Sequence, residues 1–135
     1  MNRRANILIA AIAAITSIPV VAADSPKERY GIDKTCAAVS AVAIEQNDLP
    51  ANITANQAMP IAALYLKRTQ ASGERVGLDP ATISRGIDAV HQSIVAKLTS
   101  SDTKRAITER SDTARMMENC TALVGFELLG SVAAH

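Results

Sequence analysis

Aromatic residues are nearly absent from this chain: 135 residues include Tyr30, Tyr65 and Phe126 and no tryptophan. Large rings dominate the buried area of many cores, so a core built here has modest area and rests on alanine, valine, isoleucine and leucine. Histidine is as scarce, with His91 and His135 alone. Asp88 lies one turn before His91, but no second histidine or thiolate follows at ligand spacing, so no metal site is assigned. The serines stand in no Gly-x-Ser-x-Gly or Ser-x-x-Lys setting. Ser72-Gly73-Glu74-Arg75-Val76-Gly77 follows no strand, which a phosphate-cradling loop requires. No catalytic residue and no cofactor are therefore assigned, and the chain is read as a non-enzyme. Basic runs are missing too: 14 lysines and arginines face 13 acids, which leaves no electrostatic footprint for nucleic acid.

Charge is also missing from the start of the chain, and there its absence is informative. After Arg3-Arg4 no charged residue occurs until Asp24, and the apolar run closes in Pro-Val-Val-Ala-Ala at residues 19–23. A basic region, an apolar region and a small-residue cleavage site in that order are the pattern of an export signal, with the cut expected after Ala23 and Ala22 as an alternative last residue. The competing reading is a retained anchor, since Ala5–Ala23 approaches the length of a membrane span. Against it stand Asn6, Thr16, Ser17 and Pro19 within the run. Removal of residues 1–23 leaves a single domain, residues 24–135, with no stable membrane span and a periplasmic or secreted location. Arg3 and Arg4 leave with the signal, so 12 bases face 13 acids.

Cysteine is limited to Cys36 and Cys120. Two cysteines permit one pairing, and bridges persist outside the cytosol. A Cys36–Cys120 disulfide is the expectation, with two buried free thiols as the alternative. Closing a loop of this length removes about 4 to 5 kcal/mol of denatured-state entropy in the chain model, which rivals the whole net stability of a small domain.

The apolar periods are helical throughout. Cys36, Val39 and Ala43 share a face between Asp33 and Gln46, flanked by Val42 and Ile44 and ended by Asn47-Asp48-Leu49-Pro50. Ser25-Pro26-Lys27-Glu28 is read as a mobile lead-in. A second helix carries Met59, Ala62, Ala63 and Leu66 on one side, widened by Ile61, Leu64 and Tyr65, and stops at Ser72-Gly73. Thr54-Ala-Asn-Gln57 has the form of a capping box, but a start near Asn56 or Met59 keeps Pro60 in the first turn and is preferred. Asp79-Pro80 opens the third helix, whose Ile83, Ile87, Val90, Ile94 and Leu98 repeat over more than four turns, with Arg85, Asp88 and Gln92 opposite. The last segment, from about Asp102 to Leu129, would be about 42 Å long if straight. A break or bend is expected at Ser111-Asp112-Thr113, with Ala114, Met117, Cys120 or Thr121, Val124 and Leu128 forming the apolar face and Gly130 closing it. The fold class expected is all-α, a compact bundle of four to five helices with the disulfide joining first to last.

The export signal, a cysteine in the first helix, Ala-Ala-Leu-Tyr-Leu-Lys-Arg at residues 62–68, the Asp-Pro helix start and a second cysteine near the end resemble small exported helical proteins of proteobacteria with no assigned activity. In design the chain is also similar to type VI secretion amidase-immunity proteins and to the acid-stress chaperone HdeA. Its cysteine separation is wider than the chaperone's, and no immunity-type inhibitory loop stands out. The resemblance implies a periplasmic protein-binding module of the inhibitor or immunity kind, an acid-stress chaperone as the alternative, and an uncharacterised enzyme as the third class. The candidate partner-binding loop is Ser72 to Leu78, with Ser72, Gly73, Glu74, Arg75 and Gly77 as its residues. Asn52-Ile-Thr54 and Asn119-Cys-Thr121 match the glycosylation sequon and are read as chance matches. Lys67-Arg68 with Arg75, and Lys104-Arg105 with Arg110, are read as solvated faces that can meet an acidic patch on a partner.

Overall fold

The computed structural model describes residues 25–133, with side chains described through Gly125. Among the described residues four helices follow one another: α1 (Pro26–Glu45), α2 (Ala55–Arg75), α3 (Pro80–Leu98) and α4 (Thr103–Ala133). The described residues contain no strand, and none of their helices is long and apolar enough to cross a membrane. The architecture is an all-α bundle whose first and last helices are joined by Cys36–Cys120. The expected signal, with its cut at Ala23, lies outside the described residues.

Helix α1 starts two turns earlier than its apolar period suggests. Ser25 is its N-cap, the side chain accepting from the Glu28 N–H at 3.1 Å, and Pro26 occupies the first turn. The stretch read as a lead-in is thus the cap and opening turn of the helix. Its polar side chains hid it from a reading based on apolar spacing, although serine then proline is a helix-start pattern. Further along, Cys36 to Ser40, Val42 and Ala43 are all buried. A helix buried most of the way round lies between its neighbours instead of on one side of them, and α1 contacts α2, α3 and α4. It ends where Asn47 takes a left-handed φ of 54°, with Asp48 N–H donating to Ala43 O at 2.9 Å and Asn47 N–H to Ile44 O at 3.3 Å. This is the Schellman arrangement, with asparagine where glycine is commoner.

Helix α2 corrects the sequence reading in three ways. Thr54 is its N-cap and forms the reciprocal capping box with Gln57, at 3.3 and 2.9 Å, so the earlier start is the real one and Pro60 lies inside the helix. The capped start is kept although Pro60 forfeits one helix hydrogen bond. The buried side is Ala58, Tyr65, Thr69 and Ser72, while Met59, Ala63 and Leu66 point outward. Apolar residues occupy most of the helix circumference between Ala58 and Leu66, and the true stripe continues through Thr69 and Ser72, which look polar in sequence. The helix also runs past Ser72-Gly73 to Arg75, where Gly77 at φ 83° closes it through Gly77 N–H to Glu74 O and Leu78 N–H to Gly73 O, both 3.0 Å.

Helix α3 is as expected: Asp79 caps it by accepting from Thr82 N–H at 2.7 Å, Pro80 opens it, and Ile83, Ile94 and Leu98 are buried. Helix α4 departs from expectation, running unbroken through residues 111–113 and past Gly130. Thr113 is buried on the same line as Met117, Cys120 and Val124, so the Ser-Asp-Thr triplet contributes to the packed face, and Asp112 pairs with Arg115 one turn on at 3.0 Å. At 31 residues the helix is about 46 Å long. Its opening turns leave Lys104, Arg105 and Ile107 exposed. Cys36 meets Cys120 and Asp48 meets Arg110, so α1 and α4 run antiparallel.

Candidate functional site

Among the described residues two buried clusters hold the bundle. One gathers Val39, Val42, Ile53, Ile94, Leu98 and Met117 about α1. The other surrounds the disulfide with Ala37, Tyr65 and Val124. The Cys36 and Cys120 Cα atoms are 5.7 Å apart, across a sequence separation of 84, and both residues are buried. Beside them the Tyr65 hydroxyl donates to the Cys120 carbonyl at 2.6 Å, so one phenol ties α2 to α4 where the bridge ties α1 to α4. A helix carbonyl that already accepts its intrahelical bond has a second lone pair for this.

The candidate loop Ser72 to Leu78 is mostly helix. Ser72 is buried and donates back to Arg68 O at 2.9 Å. Gly73 is buried against α3, and a Cβ there would lie 2.6 Å from two side-chain carbons of Ile83 and 3.2 Å from the Tyr30 ring. Ser72 and Gly73 therefore serve packing in this fold. Glu74, Arg75 and Gly77 are exposed, and Gly77 makes the left-handed turn. On the side of α2 that carries Glu74, and about two to four turns earlier, lie the exposed Met59, Ala63 and Leu66. Met59 is 60% and Leu66 48% exposed. Apolar spacing alone put these residues in the core, so the surface they form was missed. The signal that separates the two stripes is Tyr65, whose hydroxyl needs a buried acceptor that the Met59 stripe does not offer.

No protein-family model, curated protein or solved structure matches this chain. The chemistry must be read from the molecule itself.

His91 is half-buried on α3 and shares a 2.7 Å hydrogen bond with Glu45 at the end of α1, so its partner is a distant carboxylate and not Asp88, which is exposed. Among the described residues no group of three or more His, Cys, Asp or Glu side chains converges. Asp79 has its pKa lowered, first by the side-chain and then by the backbone hydrogen bond with Thr82, and also by Arg85. These contacts favour its ionised form at the start of α3, which is a capping role. Of the basic groups, Arg68 lies over the Tyr65 ring at 5.7 Å and Arg110 pairs with Asp48 at 3.7 Å. Lys104 and Arg105 form no ion pair among the described residues.

Proposed function

We propose that this chain is a non-catalytic protein-binding module of an oxidising compartment, periplasmic or secreted, of the inhibitor or immunity kind. The observation that carries the reading is the outer face of α2, where Met59 and Leu66 expose large apolar side chains on either side of Ala63, with the exposed Lys67 and Glu74 at its edge. An apolar centre with charged residues at its rim is the composition of a protein-protein contact, and aliphatic anchors exposed on a rigid helix lose little conformational freedom when a partner covers them. The buried disulfide supports the compartment, because such bridges persist where the environment is oxidising.

The test is capture from periplasmic extract with immobilised protein, comparing wild type with Leu66→Asp and with Ile107→Asp. Ile107 is more exposed than Leu66 and lies in the opening turns of α4. The reading expects one partner retained by wild type and Ile107→Asp and lost by Leu66→Asp. Equal retention by all three, with unchanged circular dichroism, would remove the α2 face from consideration. The chaperone reading makes a different demand: suppression of client aggregation near pH 2 to 3, where acid-loosened states form.

A further inference from the structure

On the side of the bundle away from α2, two hollows lie along α4. One, of about 460 Å³, is floored by Cys36 and Cys120 and walled by Ile32, Met116 and Leu123. The other, of about 420 Å³, lies between α1, α3 and α4 over Val90, Ile94 and Met116. Thr35 and Met116 line both. Glu109, Met116 and Leu123 are spaced seven apart and so fall on one line along α4, which sets the two hollows end to end in one trough-like run with Thr35 and Met116 between them. From Glu109 to Leu123 is about 21 Å along the helix axis, the length of an extended long-chain acyl group.

The two ends of this trough differ in charge. Glu28 stands at the end beside the disulfide. Lys34, Lys97 and Glu109 line the other hollow, and a recess of about 400 Å³ continues from Lys97 and Glu109 to Lys104 and Arg105. None of these four cations forms an ion pair among the described residues; Lys34 lies 5.1 Å from the centre of the Tyr30 ring. Of the two acids at that end, Asp102 is engaged, accepting from the Lys104 and Arg105 N–H groups at 3.1 and 3.2 Å. Lys104 and Arg105 also occupy the opening turn of α4, where the helix dipole disfavours cations. Lysine and arginine thus outnumber acids four to two at this end of the trough, with Asp102 and Glu109 among its lining, and Glu28 is the charged residue lining the other end.

We propose that the trough binds a long-chain fatty carboxylate, its chain over Met116 toward Leu123 and its head between Lys34 and Lys97. The apolar floor supplies affinity that rises with chain length, and the lysines select the anionic head and fix its direction. This site is separate from the α2 face and stands or falls independently of the function proposed for that face.

Isothermal titration with octanoate, decanoate and dodecanoate, each below its micellar concentration, tests the proposal on the oxidised protein. Binding should be saturable at one per chain and tighten about two- to fourfold per added methylene, the upper figure being that of full burial. Dodecyltrimethylammonium should bind at least tenfold more weakly than dodecanoate. Lys97→Glu, at an exposed position, should weaken dodecanoate about tenfold, and Thr35→Phe should block the shared waist. Should Thr35→Phe fail to fold, the Lys97 variant and the charge-reversed amphiphile decide the matter alone. Absence of saturable binding, equal affinity for the cationic amphiphile, or indifference to Lys97→Glu would each overturn it. So would sedimentation showing a dimer that dodecanoate leaves intact and cannot enter, which would assign the trough to a second copy of the chain.

Discussion

Individual residues here matter chiefly through the space they leave and the bonds they complete. Gly73 and Gly86 make room for Tyr30: a Cβ at Gly86 would lie 2.9 Å from the Tyr30 hydroxyl, and one at Gly73 would meet Ile83 at 2.6 Å. Gly31, by contrast, is in a helix with nothing within 4 Å of its missing Cβ. Gly73→Ala should therefore lower stability by about 1 to 3 kcal/mol through overpacking, and Ile83→Val in the same chain should recover part of it. Gly31→Ala should raise stability by about 0.5 to 1 kcal/mol, the helix preference for alanine. Urea denaturation of the four proteins checks both signs. At Asp79 the sign of the pH dependence follows from its lowered pKa. A carboxyl whose pKa is lower folded than unfolded adds stability above its unfolded pKa and loses it as pH falls through the folded one. The deficit of Asp79→Asn against wild type should thus be present at pH 7 and shrink as pH drops below the ordinary carboxylate range. A deficit unchanged down to pH 2 would mean that the charge of Asp79 contributes nothing to the cap.

Among the elements, α2 shows competing local preferences most clearly. Its capping box satisfies two donors at the price of carrying Pro60 in the second turn, where the ring removes a helix hydrogen bond. Thr54→Ala should cost about 1 kcal/mol. Pro60→Ala should stabilise by about 1 to 3 kcal/mol, since alanine is favoured over proline within a helix and residue 60 is exposed. Thermal melts of the two variants should move in opposite directions; a lower melting temperature for Pro60→Ala would show that the proline is accommodated without strain. Helix α4 makes the complementary point. Serine, aspartate and threonine in succession weaken a helix locally, yet packing of Thr113 in line with Met117, Cys120 and Val124 carries α4 through them. Tertiary burial outweighs a local preference of a few tenths of a kcal/mol per residue.

At the scale of the whole molecule, stability rests on a central helix and a crosslink. Helix α1 touches every other helix, but its buried residues are mostly alanine and valine, which offer little apolar area each. The bridge and the Tyr65 hydrogen bond fasten α4 to α1 and α2. Cys36→Ala with Cys120→Ala should lower stability by about 2 to 5 kcal/mol, measured by urea unfolding against oxidised wild type, and reduction of the wild type should reproduce it. A double variant that melts within a degree or two of wild type would show that the alanine-rich core suffices unaided.

What the sequence determined by itself is what depends on neighbours along the chain or on counting. The all-α class followed from apolar spacing near 3.6, the Asp79-Pro80 start and stripe of α3 from local caps and period, and the Cys36–Cys120 pairing from a count of two. The opening of α1 at Ser25-Pro26 and the Thr54 capping box are equally legible as patterns, but the first carries no apolar period and the second competes with Pro60. Only the tertiary structure decided which side of α2 is buried, since two apolar stripes of similar strength share that helix and the choice lies in the acceptor that Cys120 offers Tyr65. It also decided that Ser72 and Gly73 belong to a packed helix and that α4 does not break. The trough along α4 depends on three helices at once, and residues far apart in the chain become its floor only when the bundle brings them together.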